Sequence, residues 1–157
     1  MRLVHLSDLH LGKRLNEYSL LEDQEFILKQ IIEVIDNEKP DAVIIAGDVY
    51  DKSVPSAEAV ALFDSFLTFL AARNLAVFVI SGNHDSAERI SFGSKIMNAS
   101  RIFMAPVFKG SITPIKLRDK DGDVNIYMLP FIKPVQPCCA PGASNPVSKP
   151  FSSAAMT

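Results

Sequence analysis

Leu75-Ala76-Val77-Phe78-Val79-Ile80-Ser81-Gly82-Asn83-His84-Asp85 is an apolar run that ends in a cluster of chemically capable side chains. Two earlier stretches end the same way. Arg2-Leu3-Val4-His5-Leu6-Ser7 runs into Asp8-Leu9-His10, and Asp41-Ala42-Val43-Ile44-Ile45-Ala46 runs into Gly47-Asp48. Each strand so predicted delivers a carboxylate, imidazole or carboxamide at its C-terminal end, the edge where open α/β sheets place their chemistry. Oxygen and nitrogen donors gathered there suit hard or borderline divalent ions such as manganese, magnesium, iron or zinc.

Helix signals separate these strands. Leu20, Leu21, Gln24, Ile27, Leu28, Ile31, Val34 and Ile35 recur at helical spacing with charged residues between them, and Asn37 and Pro40 mark the stop. Pro55 and Ser56 open a second helix, with Val60, Phe63, Phe66, Leu67 and Leu70 on its apolar face and Asn74 closing it. A shorter helix is expected over Ala87 to Asn98. This β-α-β-α-β order predicts an α/β fold with a parallel sheet covered on both faces and right-handed crossovers. Past Ser100 the rhythm changes to short extended runs, Arg101 to Met104, Ile112 to Leu117 and Val124 to Leu129. Asp119-Lys120-Asp121-Gly122-Asp123 reads as a hairpin turn between the last two, since a calcium loop would need further spaced ligands and a closing Glu.

The chain has 157 residues, enough for one domain with a real core, and its 48% hydrophobic and 22% charged residues are ordinary for a globular protein. A net charge of −2 gives no global basic field, so a nucleic-acid substrate would have to be held by local groups, metal ions or partner chains. Adjacent Cys138 and Cys139 cannot staple distant segments, which suits a reducing compartment. No secretory leader and no bilayer-spanning run is legible, and a cytoplasmic location with no membrane association is expected. From Pro134 onward Pro, Ser, Ala and Gly dominate, so residues 134–157 are expected to form a disordered tail.

The motif residues can be given roles from their chemistry. A two-metal hydrolytic site needs one carboxylate bridging the ions and further donors completing each sphere. Asp48 is the natural bridge, because Gly47 before it permits a tight strand-to-loop turn. Asp8 and His10, two apart in an extended segment, can both point at one ion, and Asn83 offers a neutral carbonyl oxygen. His84 is either a ligand or, as favoured here, a proton or hydrogen-bond donor to the leaving oxygen of a phosphate ester. Asp85 either orients that imidazole or caps the following helix. Arg89, in the first turn after His84, is a candidate phosphate contact, whereas Lys13, Arg14, Lys52 and Lys95 read as solvated charges. His5 reads as a core histidine, and Tyr50 and Asp51 extend the second loop, where a structural role is favoured over contact with substrate.

Asp8-x-His10, Gly47-Asp48 and Gly82-Asn83-His84-Asp85 resemble the first motifs of the calcineurin-like metallophosphoesterases. Within that superfamily, Met1 through Lys13, Ala46 through Asp51, Ser81 through Arg89 and Ser91-Phe92-Gly93 resemble the SbcD nuclease subunits of bacterial SbcC–SbcD complexes. The resemblance covers about residues 1–133 and implies the sandwich fold of that superfamily, C-terminally truncated. It implies a DNA exonuclease and endonuclease acting in repair and recombination, with two divalent ions, manganese expected and magnesium the substitute. Asp8, His10, Asp48 and Asn83 would be metal ligands, and His84, with Asp85, would act on the leaving group. An SbcC-type ATPase and a second SbcD-type copy are the implied partners. The family pattern continues with a lone histidine and a Gly-His-x-His motif. This chain has only His5, His10 and His84, so the second metal site would be incomplete and the chain weakly active or inactive. The alternatives are another calcineurin-like phosphatase or nucleotide phosphodiesterase, and a non-catalytic fragment.

Overall fold

The computed structural model describes residues 1–133; the tail predicted at 134–157, with Cys138 and Cys139, lies outside the described residues. Strand β1 (Leu3–Leu6) leads through a loop and a small ribbon, β2 (Arg14–Leu15) and β3 (Tyr18–Ser19), into α1 (Leu21–Glu38). Then follow β4 (Ala42–Ala46), α2 (Ala57–Ala71) and β5 (Ala76–Ile80). The short helices α3 (Ala87–Ile90) and α4 (Ser94–Met97), with a 3-10 turn at Asn98–Ser100, lead to β6 (Ile102–Met104). A hairpin of β7 (Ile115–Asp119) and β8 (Gly122–Ile126) completes the described fold.

Strands β1, β4, β5 and β6 form one parallel sheet in that spatial order. The order advances in one direction, so right-handed crossovers bring successive connections to the same side. Val43, Ile45, Val77 and Val79 accordingly form one core with Leu28 and Ile35 of α1 and Phe63, Phe66, Leu67 and Leu70 of α2. The alternate residues Ala42, Ala76 and Phe78 face the other way, against Ile115 and Leu117 of β7 and Ile126 of β8. The inner strands are thus covered on both faces, one by helices and the other by an antiparallel hairpin, while the outer strand β1 stays open on the hairpin side.

The helix expected from Ala87 to Asn98 is broken at Gly93, whose φ of 73° is left-handed. Val60 is exposed and Ala59 takes its place on the buried face of α2. The helix α1 passes Asn37 and stops only at Lys39, which adopts a left-handed φ of 46° and donates its N–H to Ile35 O. The hairpin turn is shorter than the acidic run suggests. Asp119 pairs directly with Gly122, and Asp119 Oδ1 accepts from the N–H groups of Asp121 and Gly122, so both strands reach the two-residue turn Lys120-Asp121. His5 is not a core residue: it is exposed on the hairpin side of the edge strand β1, beyond the cover of β7 and β8.

Candidate metal centre

The loops that leave β1 and β4 run side by side past the sheet edge. Asp8 N–H donates to Gly47 O at 3.2 Å, His10 N–H to Asp48 O at 2.9 Å, and Leu11 N–H to Val49 O at 2.9 Å. Their backbone is not extended. Asp8, His10 and Asp48 have φ of 56°, 44° and 49°, so three non-glycine residues hold left-handed conformations within one small region. The expectation that Asp8 and His10 converge because an extended strand points alternate side chains one way is therefore wrong. They converge because the chain coils after Leu6.

That coiling sets His10 Nε2 3.9 Å from Asp8 Oδ1 and 3.9 Å from Asp48 Oδ2. Those separations are too long for hydrogen bonds. They lie within the ~4.2 Å available to two donors that each sit ~2.1 Å from one ion. His10, Asp48 and His84 each place a ligand atom within 4.8 Å of the others, forming a group able to hold a metal ion. A mutual spread of 4.8 Å is close to the span of one coordination sphere. Asp48 is central: its Oδ1 accepts the His84 backbone N–H at 3.0 Å while Oδ2 faces His10. Glycine is needed beside it, because a Cβ on Gly82 would stand 2.8 Å from Asp48 Cγ and one on Gly47 would stand 3.0 Å from Gly82 Cα. Asn83, with Asp8 and Asp48, lines an open cleft of about 520 Å³ whose opposite wall is Leu129–Ile132.

The two imidazoles meet edge to face, their centroids 4.8 Å apart. His84 Nδ1 lies 2.9 Å from the carbonyl of Asp51. A carbonyl only accepts, so Nδ1 carries the proton and Nε2 is left for a ligand or a proton-transfer role. Among the described residues, buried His10 Nδ1 has no hydrogen-bond partner, and Asp51 Oδ1 is the facing anion at 3.8 Å. Asp51 thus addresses both rings, a part that its reading as a loop residue missed; the only sequence signal was its place three residues after Asp48. Tyr50 is structural as expected, buried edge-on against Phe63, and burial, with the charges of Asp85 and Asp64 adding to it, pushes its hydroxyl up to about 12.

Asp85 has neither expected role. It is 1% exposed and its carboxylate accepts the backbone N–H groups of Val49 at 3.1 Å, Tyr50 at 2.9 Å and Gly82 at 2.9 Å. It therefore bolts the β4 loop to the β5 loop, while Ser86 caps α3 and the Asp51 carbonyl orients His84. Arg89 is exposed on the four-residue α3 and does not line the cleft beside Asp8, Asp48 and Asn83.

The chain belongs to the calcineurin-like phosphoesterase family, whose profile matches residues 1–136. Among curated proteins it is similar to SbcD of the SbcCD nuclease from Staphylococcus epidermidis, 39% identical over 132 residues, and to its counterpart from Staphylococcus saprophyticus, 38% identical over 132 residues. Each match takes in 83% of this chain but 34% of the relative, so the chain spans about a third of the length of these curated relatives.

Proposed function

We propose that this chain carries the first half of the metal centre of an SbcD-like nuclease, which hydrolyses DNA phosphodiesters with two divalent ions, manganese in preference to magnesium. The convergence of Asp8, His10, Asp48, Asn83 and His84 on one sheet edge carries this reading, and the similarity to SbcD of the SbcCD nuclease directs it to DNA. Asp8, His10 and Asp48 would hold one ion, and Asp48 and Asn83 would reach the second. Bound divalent ions supply Lewis-acid chemistry, neutralising phosphate charge and acidifying water. His84, with Nδ1 tied to the Asp51 carbonyl, presents Nε2 toward the leaving oxygen, where a protonated ring donates. An SbcC-type ATPase and a second copy are the partners, and DNA repair and recombination in the cytoplasm the setting. No helix among the described residues is long and apolar enough to cross a membrane.

A second reading, a fragment that binds metal without turnover, is favoured by the histidine count. Of three imidazoles in the whole chain, His5 lies outside the cluster, leaving two for two coordination spheres. Manganese-dependent cleavage of linear duplex DNA, measured on the purified chain and on the full-length S. epidermidis relative, separates the two. The relative is expected to cut and to lose turnover on replacement of the residues matching Asp48 (to Ala) and His84 (to Gln). The 157-residue chain is expected to bind Mn2+ with little or no cleavage. A relative active only on phosphomonoesters would replace the nuclease assignment with a phosphatase.

A further inference from the structure

We infer that Gln24 is the positioning residue of the loop that presents Asp8 and His10; its effect on metal rests on the reading above, while its hold on the loop stands on geometry alone. Between Leu6 and Arg14 the chain has no regular structure, yet Asp8 and His10 keep left-handed backbones there. The Gln24 carboxamide, carried in the first turns of α1, binds this loop through both of its polar atoms. Its Nε2 donates to Leu9 O at 3.2 Å and His10 O at 2.8 Å, and its Oε1 accepts from Gly12 N–H at 2.9 Å. The orientation is unambiguous, since carbonyls only accept and an amide N–H only donates.

No other side-chain type does this at the same reach. Glutamate lacks the donors, lysine lacks the acceptor, and asparagine is shorter by one methylene. The clamp is also anchored. Leu28 and Ile35 of the same helix are buried in the core, and the Gln24 N–H is itself bonded to Leu20 O at 2.9 Å. Gln24 thereby ties the loop that carries Asp8 and His10 to the main hydrophobic core without touching a candidate ligand atom. Partners that bond the ligating side chains themselves typically tune metal affinity 10–100-fold, and Gln24 acts one step further back, through the backbone that carries His10.

The test compares Gln24→Met, which keeps the length and helix preference but not the hydrogen bonds, and Gln24→Ala with Gln30→Ala, an exposed glutamine on the same helix. In metal-free protein, amide exchange at Gly12 should quicken about tenfold in both Gln24 variants and stay unchanged in Gln30→Ala. Mn2+ affinity should fall about tenfold or more, with an altered visible spectrum of bound Co2+, again only in the Gln24 variants. Gly12 exchange within twofold of wild type in Gln24→Met, or Mn2+ affinity within twofold, overturns the inference. The metal reading fails separately: if Asp48→Asn binds Mn2+ as the wild type does, that reading falls and Gly12 exchange alone decides the clamp.

Discussion

On the helical side of the sheet, Val43, Ile45, Val77 and Val79 are fully buried under α1 and α2, whereas on the hairpin side the outer strand β1 leaves Leu3 40% exposed and His5 in solvent. The apolar cover on that side is confined to the centre, where Phe78 stacks on Phe103 with ring centroids 5.3 Å apart beneath β7 and β8. Beyond the hairpin, Tyr127, Leu129, Phe131 and Ile132 are also largely exposed. The difference follows from topology. A sheet that grows in one direction through right-handed crossovers stacks its helices on one side, and the other side depends on chain that comes later. The loops that carry Asp8, His10 and Asp48 are fastened to the helical side, through Gln24 of α1 and through Asp85 at the end of β5.

The widest gap between the two sides should appear on truncation. Phe66→Ala, at a ring 2% exposed between α2 and the sheet, is expected to cost about 3–5 kcal/mol. Leu3→Ser on the open side should cost no more than about 0.5 kcal/mol. Urea denaturation of both variants measures the contrast, and equal losses would break it.

On the helical side periodicity reports burial in large part: Phe63, Phe66, Leu67 and Leu70 are core residues as their spacing predicts, whereas Ile27, Val34 and Val60 of the same stripes are exposed. On the other side the hairpin itself was legible in its two extended runs and the acidic turn between them, but its seat on Ala42, Ala76 and Phe78 was not, since Ile115, Leu117 and Ile126 alternate in short runs that name no partner. At the site, the motif text located Asp8, His10, Asp48 and His84 but gave the wrong reason for their convergence, because left-handed φ at Asp8 and His10 leaves no mark in residue type. The clamping roles of Gln24 and Asp85 went unread for a related reason. Their partners are backbone groups, which every residue has, so sequence carries no trace of them.

A smaller loss should show whether the sheet edge belongs with the well-built half. Asp85→Ala leaves the N–H groups of Val49, Tyr50 and Gly82 without their shared acceptor and should cost about 2–4 kcal/mol. Asp85→Asn keeps one acceptor oxygen and should cost about half of that. Denaturation together with amide exchange at Val49 and Tyr50 provides the check. A loss below that of Leu3→Ser would mean the loops stand without this carboxylate, and the edge would then have to be grouped with the open side.

The smallest expected effect appears only in alkali. Tyr50, packed on Phe63 in the helical half, has its hydroxyl pushed from 10.0 up to about 12, first by burial and then by the negative charges of Asp85 and Asp64. The folded protein therefore keeps the phenol proton after the unfolded chain has released it. Because the folded pKa is the higher one, the stabilisation is complete below pH 10 and is lost as pH rises from 10 toward 12. Two pKa units set a ceiling of about 2.7 kcal/mol on that loss. Tyr50→Phe has no proton to lose, so its urea midpoint should decline less steeply over this range while staying close to wild type at pH 7. An identical alkaline limb in the two proteins would show that the phenol is hydrated in the native state, and that the closed packing of the helical half ends short of the metal-facing loops.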